Sequence, residues 1–147
     1  MAMDFDLSAS TGFLLSRANS SLRAHFNRLI RESGIDATAE QWGLLNIIRS
    51  SPGIIQSELA ERSMKDRTNV TRMLDLMSKR GLVVRKGDPA DRRMFRLFIT
   101  AGGESLLKQI APLAVQANKT AVRGLARDEV KALAKLLTAI YHNTRGT

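Results

Sequence analysis

The stretch that decides the fold is DRTNVTRMLDLMSK, residues 66–79, followed by RGLVVRKGDPADRRMFRLFI at residues 80–99. The first segment opens with Asp66, a favourable N-cap residue, and its apolar side chains recur at helical spacing. We therefore predict a helix over residues 67–79, ended by Gly81. Beyond Gly81 come β-branched and alternating apolar residues on either side of a polar segment of about seven residues. This pattern predicts a two-stranded hairpin with a long charged loop.

Three helices are predicted before this stretch. An apolar stripe over residues 8–32 is typical of a long first helix. Thr38 with Gln41 three residues later forms a capping-box pattern, which predicts a second helix that ends before Ser51. A short third helix is predicted from Gln56 to Arg62, although Ile55 stands where a capping hydroxyl is expected.

The chain after the hairpin is predicted to be helical again. Apolar residues form a stripe up to Ala121, with a kink expected at Pro112 because proline lacks the N–H of a helix interior. After Gly124, a final helix is predicted from Asp128. The two terminal helical arms each carry an apolar stripe, so they pack either on one another or on a second copy of the chain.

Three short helices followed by a hairpin is the order of a winged helix-turn-helix. The predicted fold class is therefore mainly α with a small β-hairpin wing: a winged helix-turn-helix lobe over residues 38–99 and helical arms over residues 8–33 and 101–145.

The basic charge of the chain is concentrated in this lobe. The formal net charge is +9, and residues 62–96 hold eleven basic and four acidic side chains, a net charge of +7. A basic excess indicates an anionic partner, which is a nucleic acid, an acidic membrane surface or an acidic protein. A charge this concentrated favours a nucleic-acid surface over an ordinary solvated face.

The composition of the chain argues against several other classes of protein and site. The 147 residues are about the size of one domain and contain no cysteine, which rules out disulfides, thiolate metal sites and cysteine nucleophiles and agrees with a cytoplasmic protein. No apolar run approaches the ~20 residues that span a bilayer, and the acidic N-terminus does not resemble a secretory signal. With only His25 and His142 as histidines, no metal or cofactor is expected.

Candidate DNA contacts lie on the helix over residues 67–79 and on the hairpin. Asparagine pairs with adenine and arginine with guanine through two hydrogen bonds each, and an arginine on a thin loop fits the narrow minor groove. An adjacent carboxylate, here that of Asp91, would hold such an arginine in a fixed pose. The candidates are Arg67, Thr68, Asn69, Thr71, Arg72 and Lys79 on the helix, and Arg85, Arg92 and Arg93 on the hairpin.

These segments closely resemble the MarR family of bacterial transcription regulators. The resemblance runs from about residue 41 to 107 and rests on an ordered set of motifs: QSELAER at 56–62, DRTNVTRMLD at 66–75, KRGLV at 79–83, DPADRR at 88–93 and LFITAGG at 97–103. It implies a homodimer held by the terminal helices, a recognition helix that starts at Arg67, and a wing at residues 88–94. The family's Asp-x-Arg wing pattern falls on Asp91 and Arg93, which implies that Arg93 enters the minor groove. The resemblance further implies a pseudo-palindromic operator, with repression as the usual mode.

The resemblance also implies a small effector, often a phenolic or aromatic carboxylate or its acyl-thioester, bound between the arms and the DNA-binding lobe. Candidate lining residues are Arg17, His25 and Trp42. Each has an alternative role: His25 as a packed interface residue, Trp42 as a core residue and Arg17 as a solvent-facing cation. The family's cysteine-based peroxide sensing is excluded because the chain has no cysteine.

Three alternatives remain open from the residues alone. A non-specific, architectural nucleic-acid-binding protein would share the basic segment without needing base contacts. A small enzyme is disfavoured, since the sequence holds no Walker loop, dinucleotide-binding glycine pattern, nucleophile elbow or metalloprotease motif. A helical protein-binding module would use the arms and leave the basic hairpin incidental.

Overall fold

The computed structural model describes residues 5–146. Within them the chain forms six α-helices, one short 3-10 turn and three strands. In chain order these are the 3-10 turn Leu7–Ala9, α1 Thr11–Glu32, α2 Ala39–Ser50, β1 Ile54–Ile55, α3 Gln56–Ser63, α4 Arg67–Lys79, β2 Val83–Gly87, β3 Phe95–Ile99, α5 Ala101–Ala121 and α6 Arg127–Thr144. The predicted fold class is confirmed.

The start of the first helix was predicted too early. The Asp6 carboxylate accepts hydrogen bonds from the Ser8 backbone N–H and hydroxyl at 2.9 and 2.6 Å, which stabilises a separate 3-10 turn. Ser10 then takes an extended conformation, so α1 begins at Thr11 rather than at residue 8. The other differences at helix ends are single residues: α3 continues to Ser63, and α6 begins at Arg127 instead of Asp128.

The sheet has three strands where the sequence predicted two. β3 lies in the centre, paired antiparallel with β2 on one side and with β1 on the other, where Ile54 lies opposite Leu97. The predicted hairpin is correct, with residues 88–94 as its loop. β1 was missed because two residues are too few to show an alternating pattern.

Two predicted N-caps fix where α2 and α4 begin. In α2, the Thr38 hydroxyl accepts from the Gln41 N–H and the Gln41 side chain accepts from the Thr38 N–H, which completes the capping box. In α4, the Asp66 carboxylate accepts from the Asn69 N–H at 2.8 Å. The α4 boundaries are those predicted because Asp66 starts the helix and Gly81, with φ of +70°, lies just past its end.

One hydrophobic core holds the lobe together. Its fully buried side chains come from α2, α3, α4, β3 and α5, with Ile30 from the end of α1. They are Ile30, Leu44, Leu45, Ile48, Leu59, Val70, Leu74, Met77, Leu97, Leu107 and Ile110. Burying a large aliphatic side chain stabilises a fold by about 1.5–3 kcal/mol, so this core anchors α4 against the sheet.

The helical arms leave apolar surface uncovered in the single chain. α6 has no buried residue, and its Leu133, Leu136, Leu137 and Tyr141 are all exposed. Helix α1 likewise exposes Leu14 and Leu22. α5 runs through Pro112 without ending there, and the kink expected at that residue stays a prediction.

Candidate nucleic-acid interface and adjoining cleft

A chain of hydrogen bonds orders the first two turns of α4. Asp66 accepts from the Asn69 backbone and side-chain amides, both at 2.8 Å. The side-chain oxygen Oδ1 of Asn69 in turn accepts from Arg72 Nη2 at 2.9 Å. The bond from the Asn69 N–H lowers the pKa of Asp66, which keeps the cap ionised. Arg72 is therefore held in a defined pose on the exposed side of α4, with its remaining N–H groups free to reach an acceptor.

The other predicted residues of α4 fall into two groups. The Thr71 hydroxyl is occupied inside the protein, since it donates to the Arg67 carbonyl at 2.8 Å and accepts from the Gln56 side chain. This arrangement ties the start of α3 to α4. Arg67, Thr68 and Lys79 are exposed on the helix surface.

The wing presents Arg93 to solvent. Its side chain is 95% exposed, and its Nε lies 3.9 Å from Asp91 Oδ1. That same carboxylate oxygen accepts the Arg93 backbone N–H at 2.9 Å, so Asp91 fixes the loop backbone more directly than it fixes the guanidinium. Arg92 is also exposed.

The base of the wing is tied down by residues that the sequence did not single out. Asp88, whose side chain is only 7% exposed, accepts from Arg96 Nε at 2.8 Å and from the Ala90 N–H at 2.7 Å. The Ala90 N–H, and after it Arg96, lowers the pKa of Asp88. Arg96 also donates to the Gly53 carbonyl at 2.9 Å, which joins the wing to the start of β1. In the sequence, the only sign of the pair between Asp88 and Arg96 is that two opposite charges lie eight positions apart.

Arg85 makes an internal ion pair. It lies 2.7 Å from Asp75, with a side chain that is 27% exposed, and so links β2 to α4. Its role as a DNA contact stays a prediction, and the geometry gives it a structural role as well.

α4 and the wing share one concave surface. Arg67 from α4 and Arg93 from the wing line the same groove, together with Gln56 and Ser57 from the start of α3. Cations from two separate elements thus converge beside the exposed face of α4, as a duplex-binding surface requires.

A cleft of about 540 Å³ lies between α1, α2, α5 and the end of α3. Small-molecule sites commonly measure ~300–1,000 Å³. Part of its wall is aromatic: Phe26 and Trp42 pack edge to face, with ring centroids 6.2 Å apart. Leu22, Ile47 and Ala117 extend the apolar surface.

Of the three predicted effector residues, only Trp42 lines this cleft. Arg17 is exposed, with its guanidinium 5.5 Å from the centre of the Phe13 ring. His25 faces Arg28, whose Nη2 lies 3.0 Å from His25 Nδ1. The His25 Nε2 is buried and has no hydrogen-bond partner among residues 5–146.

The charged groups of the cleft are ones that the sequence analysis counted only in its charge totals. Arg23, Glu40, Arg62 and Lys65 all line it. Glu40 lies 3.3 Å from Arg23 Nη1 and 3.4 Å from Lys65 Nζ, whereas Arg62 donates to the Ser51 hydroxyl. Three cations around an aromatic wall suit a ligand that combines a ring with an anionic group.

Other kinds of site find no support in the part of the chain that the structure describes. Residues 5–146 contain no group of three or more His, Asp or Glu side chains placed to hold a metal ion. None of the helices there combines the length and the apolar character needed to cross a membrane.

A lobe of three helices, the last of which is the N-capped and basic α4, together with an arginine-bearing wing defines a winged helix-turn-helix of the DNA-binding class. Comparison with known proteins gives the family. The model of the MarR family matches residues 37–95. The transcriptional regulator HosA of Escherichia coli O111:H- is 31% identical over 102 residues, which are 69% of this chain and 76% of HosA.

Solved structures agree with this assignment. A cysteine-to-serine variant of MarR from E. coli, complexed with operator DNA, has a TM-score of 0.80 at 31% identity, covering 88% of this chain and 91% of MarR. BpsR of Bordetella bronchiseptica, described with its regulation by 6-hydroxynicotinic acid, has a TM-score of 0.84 at 27% identity, covering 92% and 96% of the two chains. The chain belongs to the MarR family of transcription regulators.

Proposed function

We propose that the protein is a sequence-specific DNA-binding repressor that acts as a homodimer on a pseudo-palindromic operator. The observation that carries this proposal is the convergence of Arg67 and Arg93 in one groove, with Arg72 ordered on the same helix as Arg67. In the proposed complex, α4 enters the major groove and the wing at residues 88–94 follows the adjacent minor groove. The protein acts by binding rather than by catalysis, and because its partner is chromosomal DNA, we expect it in the cytoplasm.

Within this surface the side chains take different roles. Arg72 is positioned to read a base, most naturally guanine, because arginine matches the two acceptors on the guanine edge. Asn69 uses both ends of its amide inside the protein, so we assign it chiefly to holding Arg72. Arg93 suits the negative potential of a narrow minor groove, and Arg92 and Lys79 suit phosphates.

The dimer is inferred from the uncovered apolar faces of α1 and α6. Two copies that bury these faces against each other would present two recognition helices to the same side of the duplex. Half-sites one turn apart require the two helices to lie about 34 Å from each other.

The cleft is the proposed effector site. Its aromatic wall and three cations fit an aromatic acid or the corresponding acyl-thioester, and BpsR, described with 6-hydroxynicotinic acid, is a relative of similar fold. Binding there would favour a dimer whose half-site spacing no longer matches the operator.

Selection of bound duplexes from a random DNA pool, at near-physiological salt and with the full chain, tests the function. We expect a two-fold-related consensus with half-sites one turn apart. Enrichment of no sequence, with binding that vanishes as salt rises, would instead favour the architectural alternative, because only the phosphate contribution would then be present.

Substitution of Arg72 tests the recognition surface against the selected duplex. Arg72→Ala should reduce discrimination at one position of each half-site by about 1–3 kcal/mol. Arg123→Ala, which removes an exposed arginine outside the lobe, is the matched control and should leave base preference unchanged. Equal weakening on all sequences by Arg72→Ala would make this residue a phosphate contact.

A further inference from the structure

Glu40 forms a two-sided ion bridge inside the cleft. Its Oε1 lies 3.3 Å from Arg23 Nη1, and its Oε2 lies 3.4 Å from Lys65 Nζ. The two cations come from parts of the chain that are far apart in sequence, α1 and the turn before α4. One carboxylate thus pairs with two of the three cations that line the cleft.

The position of this bridge is unusual for a surface ion pair. All three side chains line the same cleft as the aromatic pair Phe26 and Trp42. The third cation, Arg62, already donates to the Ser51 hydroxyl. An incoming carboxylate that seats its ring on the aromatic wall therefore meets cations that are held by Glu40.

We propose that Glu40 is a built-in competitor of the effector. In the effector-free protein its carboxylate occupies Arg23 and Lys65, and the carboxylate of an aromatic acid takes its place on binding. This inference rests on the proposed effector cleft and adds the group that sets its affinity and its preference for anions.

The exchange also reaches the DNA-binding surface. Lys65 is followed directly by Asp66, the N-cap of α4, and Arg23 lies on the arm helix α1. With Glu40 in place, the arm, α2 and the start of the recognition helix are joined through one carboxylate. When the effector is bound, it joins the same three elements in place of Glu40. Its binding free energy therefore depends on how the arm and the lobe are arranged, which is what a regulatory ligand requires.

The size of the effect follows from the exposure of the bridge. Glu40 and Arg23 have side chains that are 38% and 48% exposed, and ion pairs exposed to this degree are weak. Removal of the Glu40 charge breaks two such pairs and frees their cations. We expect an anionic ligand to bind roughly two- to tenfold more tightly to Glu40→Gln than to the unchanged protein.

Trp42 provides a direct readout, because it is the single tryptophan of the chain and lines the cleft. The probe is sodium benzoate, with uncharged benzamide as the neutral analogue, each titrated against tryptophan fluorescence in the full-length protein. The matched control is Glu104→Gln: Glu104 also lies in the first turn of a helix, has the same 38% side-chain exposure and pairs with Arg49 at 3.7 Å, outside the cleft. Glu40→Asp keeps the charge on a shorter side chain. Its affinity for benzoate should lie between those of the unchanged protein and Glu40→Gln.

The expected result is tighter benzoate binding by Glu40→Gln, unchanged binding by Glu104→Gln, and no difference between variants for benzamide. Equal benzoate affinity in the unchanged protein and Glu40→Gln would overturn the inference. A Glu40→Gln protein that binds no benzoate at millimolar concentration would also overturn it. In that variant Arg23 and Lys65 are released from Glu40 and should hold a carboxylate, whatever the natural effector is. DNA binding is measured separately by the pool selection, so a failure of the DNA-binding function and a failure of the Glu40 inference give different results.

Discussion

Gly103→Ala is a sharp test of how the lobe is assembled. Gly103 lies in the first turn of α5, where the helix passes close to the ends of β2 and β3. A Cβ atom at this position would lie 2.3 Å from the Leu82 carbonyl oxygen and 2.6 Å from Ile99 Cγ1. Both distances are far inside van der Waals contact, so the backbone or the strands must move.

The magnitude follows from what opposes that movement. The Leu82 carbonyl already accepts from the Thr100 N–H at 3.1 Å, so it cannot retreat without weakening that bond. Overpacking costs about 1–3 kcal/mol, and the weakened hydrogen bond adds about 1 kcal/mol. The better helix propensity of alanine offsets about 1 kcal/mol. We expect a net loss of about 1–3 kcal/mol in the free energy of unfolding.

The assay is thermal unfolding at one fixed protein concentration, because the melting temperature of a dimer, as proposed for this protein, depends on concentration. For a chain of this size, the loss corresponds to a fall in melting temperature of very roughly 3–10 °C. Gly43→Ala is the matched control: it lies inside α2 with no atom within 4 Å of the new Cβ, and should stabilise the protein by about 1 kcal/mol. A Gly103→Ala protein that melts at or above the original temperature would refute the close approach of α5 to β2.

The remaining predictions concern the wing, the turn before α4 and the arms. Arg93→Ala should weaken binding to the selected duplex by about 1–3 kcal/mol and leave the melting temperature unchanged, because its side chain is 95% exposed; unchanged affinity would mean that the wing does not contact DNA as proposed. Met64→Gly should stabilise the protein by about 1 kcal/mol in a thermal melt, since Met64 is an exposed non-glycine residue at φ +59°, ψ +30°; a loss of stability would show that its side chain contributes more than its backbone costs. Truncation after Gly124 removes α6 and should abolish the dimer in sedimentation measurements, whereas a truncated chain that still dimerises would show that α6 is not part of the interface.

The elements with strong local signals were predictable. The limits of α4 follow from Asp66 and Gly81, and the start of α2 follows from Thr38 and Gln41, because caps and breakers act within a few residues. β1 could not be predicted in this way. Its two residues form a strand only because β3, more than forty positions later, offers an unpaired edge to them.

The candidate DNA contacts were chosen by residue type, which does not show how these side chains pair inside the protein. Polar and basic side chains on the predicted helix and hairpin favour contact with a duplex, and the sequence therefore named Asn69, Thr71 and Arg85 alike. The structure shows that each of them also bonds within the protein, to Asp66, Gln56 and Asp75. Such pairing depends on which side chains meet in space, and a periodic pattern does not contain that information.

The proposed effector cleft shows the same limit more strongly. The sequence named Arg17 and His25 on α1, yet the part of α1 that lines the cleft includes Arg23 and Phe26 and neither of those two residues. Its other wall comes from α2, α3 and α5. Four segments must be assembled before the cations Arg23 and Lys65 can be seen as neighbours.

The internal bonds of the lobe limit how an effector can act. α4 is tied to α3 through Gln56 and Thr71 and to β2 through Arg85 and Asp75, while Arg96 joins the wing to the start of β1. The recognition helix and the wing are therefore expected to move as one body. A change in half-site spacing must then come from movement between the lobe and the arms. The bridge from Glu40 to Arg23 lies across that boundary, which is why a carboxylate that competes with Glu40 is well placed to alter the spacing.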